Sequence, residues 1–321
     1  MTTTLFATLW TLFLAVRCAL FTLPWLLHLL VSDILLSCLL PVSAVAPHLA
    51  YNLSSTVAES VWHAIQLIFT RLNRAKIVVS GIDALPPRES AIVVSNHLEW
   101  CDFYLIQELA LRRGMLGKCR YFAKSQLKWV PFLGWGLWAM GMPLVTRKWT
   151  QDQREMDRVF NGILQRRWPV WLISYSEATR ITTARREAAE RWCKANDKPL
   201  GKHVLYPRTK GFIACVQQLR QASHVNAVYD VTLAYAKDGR VFQAPPTFAQ
   251  TLSQPHLDRS WTFYVHVDRY ELDVLPSEDD QLAQWLERRW LSKGERLEQL
   301  NQRLVKKEPW HGDIVSTSKL E

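Results

Sequence analysis

The 321-residue sequence predicts an α/β protein: a mixed, largely parallel sheet flanked by helices, behind an N-terminal membrane-embedded helical segment. Three observations carry this prediction. The first 70 residues are apolar and almost uncharged. Beyond them, short β-branched runs alternate with helical stretches, which is typical of α/β domains. One of these runs, "VWLISY" (170–175), is apolar throughout, as in a strand covered on both faces.

The N-terminal leader predicts a membrane anchor. Its charged residues are Arg17, Asp33 and Glu59. The apolar run far exceeds the roughly 20 residues that cross a bilayer. A signal peptide fits less well, because the basic n-region is missing and the run is too long. The structural alternative is a pair of buried helices in a soluble protein.

Two prolines, Pro24 and Pro41, are expected to divide the leader. One arrangement has two spans, at about 5–23 and 25–46. The other is a helical hairpin lying in one leaflet, with the charged residues reaching polar surroundings. A basic cluster follows the leader and indicates that this end faces the cytoplasm. Its members are Arg71, Arg74 and Lys76.

The charge of the remaining chain predicts an anionic partner. Residues 71–321 carry 38 basic and 27 acidic side chains. Phospholipid head groups or a phosphorylated substrate fit this excess. Nucleic acid is the competing partner, but zinc spacings, an RNP-like segment and a basic helix are all missing from the sequence. The 15 Trp residues favour a membrane interface, and the six Cys form no CxxC pair, so neither disulfides nor a metal site is expected.

Periodicity and turn residues divide the chain into three parts: membrane-anchoring helices at 1–70, an α/β domain at 71–275, and a C-terminal amphipathic helix and tail at 276–321. Strands are predicted at 76–81, 91–96, 142–147, 170–175, 203–206, 226–235 and 261–272. Helices are predicted at 102–113, 151–167, 182–196, 210–222 and 277–305, with a frayed tail after Pro309. Because such sheets bind ligands at the carboxyl ends of strands, the polar residues there are the candidate site.

His97 and Asp102 form the first candidate pair. A histidine that leaves a strand can meet an aspartate one helical turn further on, and the carboxylate then fixes its tautomer and raises its basicity. The sequence has no GxSxG elbow, and Cys101 is expected to be an apolar filler. The pair would therefore act on a substrate hydroxyl. The alternative is an ordinary histidine at a strand end.

Basic residues at later strand ends could bind phosphate, since the planar guanidinium donates a fork of hydrogen bonds. Arg147 ends "VTR", and "SEATR" (176–180) contains Glu177 and Arg180. Arg208 and Lys210 precede a helix and could hold an anion. Each of these residues could equally form a surface salt bridge.

Four blocks together resemble the glycerolipid acyltransferase family, of the lysophosphatidic acid acyltransferase type. "NHLEWCD" (96–102) resembles its NHx4D motif. "GMPLVTR" (141–147), "SEATR" (176–180) and "NAVYDVTLAY" (226–235) fall where the family has its later blocks, and the likeness covers about residues 75–235. The sequence is most similar to the eukaryotic lysocardiolipin and lysophosphatidylinositol acyltransferase branch, and to fungal members in particular.

The resemblance implies transfer of a fatty acyl group from acyl-CoA, as co-substrate, to the free hydroxyl of a lysophospholipid. His97 would take the hydroxyl proton, Asp102 would orient His97, and neither a metal nor a further cofactor is implied. Other family positions would hold the acceptor and its phosphate: Arg147, Glu177, Thr179 and Arg180. Further candidates are Asn96 and Lys210. The expected location is the endoplasmic reticulum membrane, with the active site on the cytosolic side.

Two positions depart from the family pattern. Ala178 replaces a glycine of the third block and would strain the site if the backbone there has positive φ. Asp230 stands where many members have Pro, so the resemblance gives it no role. These departures motivate a second hypothesis, a catalytically idle membrane scaffold. A lipid or thioester hydrolase that uses the same base is a third.

Overall fold

The structure is a computed structural model that describes residues 2–131, 133–146 and 149–310. The strands are β1 (Ile77–Ser80), β2 (Ser90–Ser95), β3 (Cys119–Tyr121), β4 (Ala123–Lys124), β5 (Leu144–Val145), β6 (Trp171–Tyr175), β7 (Val225–Lys237), β8 (Val241–Phe242) and β9 (Trp261–Glu271). The helices are α1 (Thr2–Val45), α2 (Pro47–Leu67), α3 (Asp102–Arg112), α4 (Gly134–Ala139), α5 (Trp149–Arg166), α6 (Thr183–Ala195), α7 (Thr209–Leu219), α8 (Phe248–Ser253), α9 (Leu257–Ser260) and α10 (Asp279–Val305).

The main sheet has the strand order β1-β9-β7-β2-β6-β3, with β8 added to β7. Its pairs are parallel except where β7 meets β9 and β8, which confirms the mixed, largely parallel sheet. Val93 faces the core that contains α2 and α3, whereas Ile92 and Val94 face the core that contains α5, α7 and α10. The apolar runs of the sequence therefore form strands covered on both faces.

The leader forms two helices, α1 and α2, but they do not meet at either proline, so the expected division at Pro24 and Pro41 is wrong. Both prolines lie inside α1, and the chain turns only at Ala46, where α2 begins. A proline removes one helical hydrogen bond. Here the middle of α1 packs on the domain and buries Trp25, Leu29 and Leu36. The 44 residues of α1 extend about 66 Å at 1.5 Å per residue, twice the thickness of a bilayer core.

Two predicted strands differ from the structure. The 142–147 strand is reduced to β5, which pairs with β4 in a separate two-stranded sheet, because the segment leaves the main sheet after β3. Arg147 itself lies outside the described residues. The segment 203–206 is irregular, since its backbone bonds to side chains instead of to a strand, as Leu205 N–H does to Glu177. The tail beyond residue 310 also lies outside the described residues.

The C-terminal helix α10 is joined to β7 by a buried ion pair. Lys293 Nζ lies 2.6 Å from Asp230 Oδ1 and donates to the carbonyl of Val231 at 2.5 Å. The Lys293 side chain is completely buried. Because β7 alternates its faces, Asp230 points toward α10, away from the face that carries Tyr235. Lys293 thus neutralises the acid that replaces proline in the fourth block.

We expect Lys293→Met to lower the free energy of unfolding by about 3–5 kcal/mol, because it leaves the Asp230 carboxylate buried without a partner. The thermal unfolding midpoint in detergent, followed by circular dichroism, measures the effect. The double variant Lys293→Met/Asp230→Leu is the control and should recover most of the loss. An unchanged midpoint in the single variant would contradict the assigned pairing.

Candidate active site

Asn96 fixes the end of β2 against β7. Its amide donates to the Leu233 carbonyl, and its carbonyl oxygen accepts from Leu233 N–H, each at 2.9 Å. This reciprocal pair reproduces a strand-pairing contact just where β2 stops. The Asn96 side chain is buried and fully used in this way, and it places His97 at the carboxyl edge of the sheet.

Asp102, the first residue of α3, is the fixed point of the site. Its Oδ2 lies 2.7 Å from His97 Nδ1 and accepts the backbone N–H groups of Leu98 and Glu99 at 2.6 and 3.1 Å. Its Oδ1 accepts the hydroxyl of Tyr235 at 2.6 Å. The carboxylate is fully buried at a helix N-terminus, where the peptide dipoles favour negative charge. The predicted His97–Asp102 contact is present in the structure.

The His97 ring is held in one orientation and remains accessible. It stacks on Tyr175, with centroids 4.1 Å apart and planes inclined by 15°. Burial, followed by the charge of Asp102, raises the pKa of Tyr175 well above its usual range, so this ring is a neutral phenol. The His97 side chain is 19% exposed. With Nδ1 directed at Asp102, Nε2 is the nitrogen that can take a proton from a bound molecule.

Glu177 points into the protein, not toward a ligand. Its Oε1 accepts from Leu205 N–H at 3.1 Å and from the Trp290 indole at 3.2 Å, and its Oε2 accepts from His97 N–H at 3.4 Å. Burial raises the pKa of Glu177 to about 8, against the opposing effect of these donors. Glu177 therefore supports the backbone of His97 and is connected through Trp290 to α10.

Arg180 and Thr179 lie beside His97. The Ile181 N–H group donates to the His97 carbonyl at 3.0 Å, which brings this segment next to the NHx4D turn. The Arg180 guanidinium pairs with Glu99, and its side chain is 40% exposed. Thr179 is half-buried. The third block thus meets the first block at the mouth of the site.

Lys210 is exposed in the first turn of α7. Arg208 precedes that turn and donates its N–H to the Ser176 carbonyl at 2.6 Å, so α7 starts close to the third block. A shallow cleft lies at β4 and β5, near the position of Arg147 in the sequence. It is lined by Lys124, Gln126, Val145 and Thr146. In the described part of the chain, no three His, Cys, Asp or Glu residues come together as metal ligands.

Three side chains that support the site were not predicted from the sequence: Tyr235, Tyr175 and Trp290. The alternation of β7 offered a signal for Tyr235, because it shares a face with Tyr229, Val231 and Leu233. Tyr175 ends a strand at the edge already singled out for ligands. For Trp290, which lies 113 residues from its partner Glu177, the sequence offers no signal.

Comparison with known proteins identifies the family. The profile of the Acyltransferase family matches residues 76–236, and the profile of its C-terminal region, "Acyltransferase C-terminus", matches residues 258–308. The chain belongs to the acyltransferase family, of the lysophosphatidic acid acyltransferase type. The resemblance inferred from the four blocks is confirmed at this level.

Several relatives are similar over much of the chain. A 1-acyl-sn-glycerol-3-phosphate acyltransferase 2 of Brassica napus is 30% identical over 75% of this chain and 60% of its own length. Lysocardiolipin acyltransferase 1 of Mus musculus is 30% identical over 69% of this chain and 57% of its own. The chain therefore spans little more than half the length of these relatives. The solved 1-acyl-sn-glycerophosphate acyltransferase of Thermotoga maritima aligns with a TM-score of 0.46 and 16% identity, covering 84% of this chain and 97% of that one.

Ala178 occupies a left-handed conformation within the third block of this acyltransferase. Its φ is +56°, in the region where a Cβ is unfavourable and glycine is preferred. The backbone is held there because Ala178 N–H donates to the Tyr175 carbonyl at 2.8 Å and the preceding Glu177 is anchored at both oxygens. The alanine thus adopts a glycine-like conformation and keeps the shape of the turn.

We expect Ala178→Gly to raise the free energy of unfolding by about 0.5–1 kcal/mol, because it removes the left-handed strain at some cost in chain entropy. The thermal unfolding midpoint checks this. Ala188→Gly, at an exposed position inside α6, is the matched control and should lower stability by about 1 kcal/mol. A loss of stability in both variants would show that Ala178 is not strained.

Proposed function

We propose that this acyltransferase moves a fatty acyl group from acyl-CoA to the free hydroxyl of a lysophospholipid. The observation that carries the proposal is the accessible His97 ring, oriented by a buried Asp102 that is itself held by Tyr235 and two backbone N–H groups. This is the arrangement of a general base. Relatives named as 1-acyl-sn-glycerol-3-phosphate and lysocardiolipin acyltransferases support the class of acceptor.

In the proposed reaction, His97 Nε2 takes the proton of the acceptor hydroxyl as its oxygen attacks the thioester carbonyl. The carbon–sulfur bond then breaks, and the imidazolium returns the proton to the departing CoA thiolate. Asp102 orients the ring and stabilises its charged form. A covalent route, in which the Cys101 thiolate would attack the thioester, is disfavoured. Burial and the neighbouring Asp102 raise the pKa of the Cys101 thiol well above its usual range, so little thiolate forms.

The acceptor phosphate would bind beside His97, at the third block. Arg180 is positioned there and partly exposed, although Glu99 already neutralises part of its charge. We propose that Arg147 and Lys210 add positive charge and that Thr179 offers a hydroxyl donor. Glu177 and Asn96 contribute by holding His97 in place. Acyl-CoA is a co-substrate in this scheme, which requires neither a metal nor a further cofactor.

The helix α1 is long and apolar enough to cross a membrane, and its presence suggests membrane association. We propose that it lies along one leaflet. Arg17 donates to the Leu72 carbonyl at 3.1 Å, and Leu36 is buried in the domain core, so α1 follows the domain for about 30 Å. If α1 crossed the membrane while packed along the domain in this way, the domain would have to enter the hydrocarbon core of the bilayer. We further propose the cytosolic face of the endoplasmic reticulum, consistent with the basic cluster after the leader.

We expect His97→Ala to reduce acyl transfer by about 100- to 10,000-fold, because the hydroxyl loses its proton acceptor. Membranes that contain each variant are incubated with labelled acyl-CoA and, separately, lysophosphatidic acid, lysophosphatidylinositol and lysocardiolipin. His63→Ala, at an exposed position of α2, is the control and should retain transfer. Near-normal CoA release by His97→Ala would contradict the proposed role of His97 as the proton acceptor. Free fatty acid without an acceptor would instead indicate a hydrolase.

The pH dependence of the transfer rate should reflect the titration of Glu177. Its protonation as the pH falls through about 8 weakens its hold on His97 N–H, so the transfer rate should decline on that side. Trp290→Phe removes a donor that favours the carboxylate, so the pKa of Glu177 rises and the acid limb of the kcat profile moves to higher pH.

Two variants complete this measurement. Glu177→Gln cannot titrate and should remove the contribution of Glu177 to the acid limb. Trp192→Phe, at an exposed position of α6, is the matched control and should keep the wild-type profile. If Trp290→Phe and Trp192→Phe gave the same profile, Trp290 would have no positioning role.

A further inference from the structure

Two exposed tryptophans flank the turn that leads into α4: Trp129 precedes the turn, and Trp135 lies in the first turn of α4. Trp129 is 77% exposed and Trp135 is 57% exposed, with Val130 between them also exposed. We refer to Trp129, Val130 and Trp135 as the tryptophan ledge. These are the highest exposed fractions among the described tryptophans; Trp10, Trp100 and Trp192 are 42–45% exposed, and Trp171 and Trp290 are almost completely buried. Two large exposed indoles six residues apart in the chain form the kind of apolar surface that marks an interaction site.

The ledge is presented by a tight turn. Val130 N–H donates to the Leu127 carbonyl at 3.0 Å, and Gly134 N–H donates to the Val130 carbonyl at 2.9 Å. A Cβ at Gly134 would lie only 2.3 Å from the carbonyl oxygens of Leu127 and Lys128, so the turn closes because this residue is glycine. The exposed indoles therefore belong to a well-bonded element of the fold.

The turn is also pressed against α1. At Gly136, next to Trp135, a Cβ would lie 2.6 Å from Asp33 Oδ1 and 3.2 Å from Leu36 Cδ1. α4 and α1 can approach this closely only with glycine at this position. Ile34 and Leu35, in the same turn of α1, are exposed apolar residues. The helix that carries Trp135 therefore packs directly on α1.

We propose that the tryptophan ledge is a second membrane contact, with Trp129 and Trp135 seated in the interface of the bilayer that receives α1. Tryptophan prefers the head-group level of a bilayer. Lys124 is exposed just before the ledge in the chain and provides a positive charge for anionic head groups, while the Lys128 ammonium lies over the Trp138 ring at 5.4 Å. Continuity with α1 and the mixture of indoles with lysines favour a lipid surface over a protein partner.

The ledge would also control how the domain sits on the membrane. One helix lets the domain rotate about the helix axis, whereas a second contact beside that helix removes this freedom. Trp100, within the NHx4D motif, packs on Phe248 at 5.4 Å, and Phe248 contacts Trp25 of α1 at 5.9 Å between centroids. The mouth of the site therefore also lies on the α1 side and would open at the bilayer surface.

The test measures depth in the membrane with the full-length chain. A nitroxide is attached at Trp129→Cys or Trp135→Cys in a Cys18→Ser/Cys38→Ser background, and the protein is reconstituted into phosphatidylcholine–phosphatidylglycerol vesicles. Power-saturation electron paramagnetic resonance compares collisions with oxygen and with a water-soluble nickel chelate. Val274→Cys is the matched control, since it is 73% exposed and follows the end of β9 that pairs with the start of β7, at the end of the sheet opposite His97.

The labels at positions 129 and 135 should collide more with oxygen than with the nickel chelate, and the label at position 274 should show the reverse. Equal nickel access at all three positions would overturn the proposal. Exclusion of both agents together with spin–spin broadening would also overturn it, because another copy of the chain would then cover the ledge. The measurement needs no acyl donor or acceptor, so its outcome is independent of the proposed reaction.

Discussion

The carboxylate of Asp102 joins three elements of the fold at one point. It sits at the start of α3, accepts backbone N–H groups from the turn after β2, and receives the hydroxyl of Tyr235 from β7. Its remaining contact is His97 Nδ1. Because its partners come from the turn after β2 and from β7, the orientation of His97 depends on how α3, β2 and β7 are held together. The fold therefore orients the His97 ring without a bound ligand.

The C-terminal helix α10 extends this dependence to the far side of the sheet. It provides Trp290 to Glu177 and Lys293 to Asp230, so it contacts both the third and the fourth block. Glu177 in turn supports His97 N–H. The region that matches the C-terminal family profile thus supports the residues that hold His97 in place.

Sequence patterns predicted the parts of this arrangement that depend on nearby residues. The apolar runs located β1, β2, β6, β7 and β9 but not the short strands β3 and β8, and the spacing of His97 and Asp102 predicted their contact across one turn. Long-range contacts were beyond such patterns. Tyr235 lies 133 residues from Asp102, and the inward turn of Glu177 depends on Trp290. The continuity of α1 through Pro24 and Pro41 was likewise not predicted, because the local preference of proline is to end a helix; next to Pro24, Trp25 packs in the domain core.

Both departures from the family pattern have a physical counterpart elsewhere in the chain. Asp230 is paired with Lys293, so a buried charge does not destabilise β7. Ala178 adopts a left-handed conformation between two anchored neighbours, Glu177 and Arg180, and local strain of this kind persists only where the surroundings enforce it. A site that did not have to keep its geometry would not need the Asp230–Lys293 pair or the contacts of Glu177. The two substitutions change how the site is held and leave the His97–Asp102 pair in position.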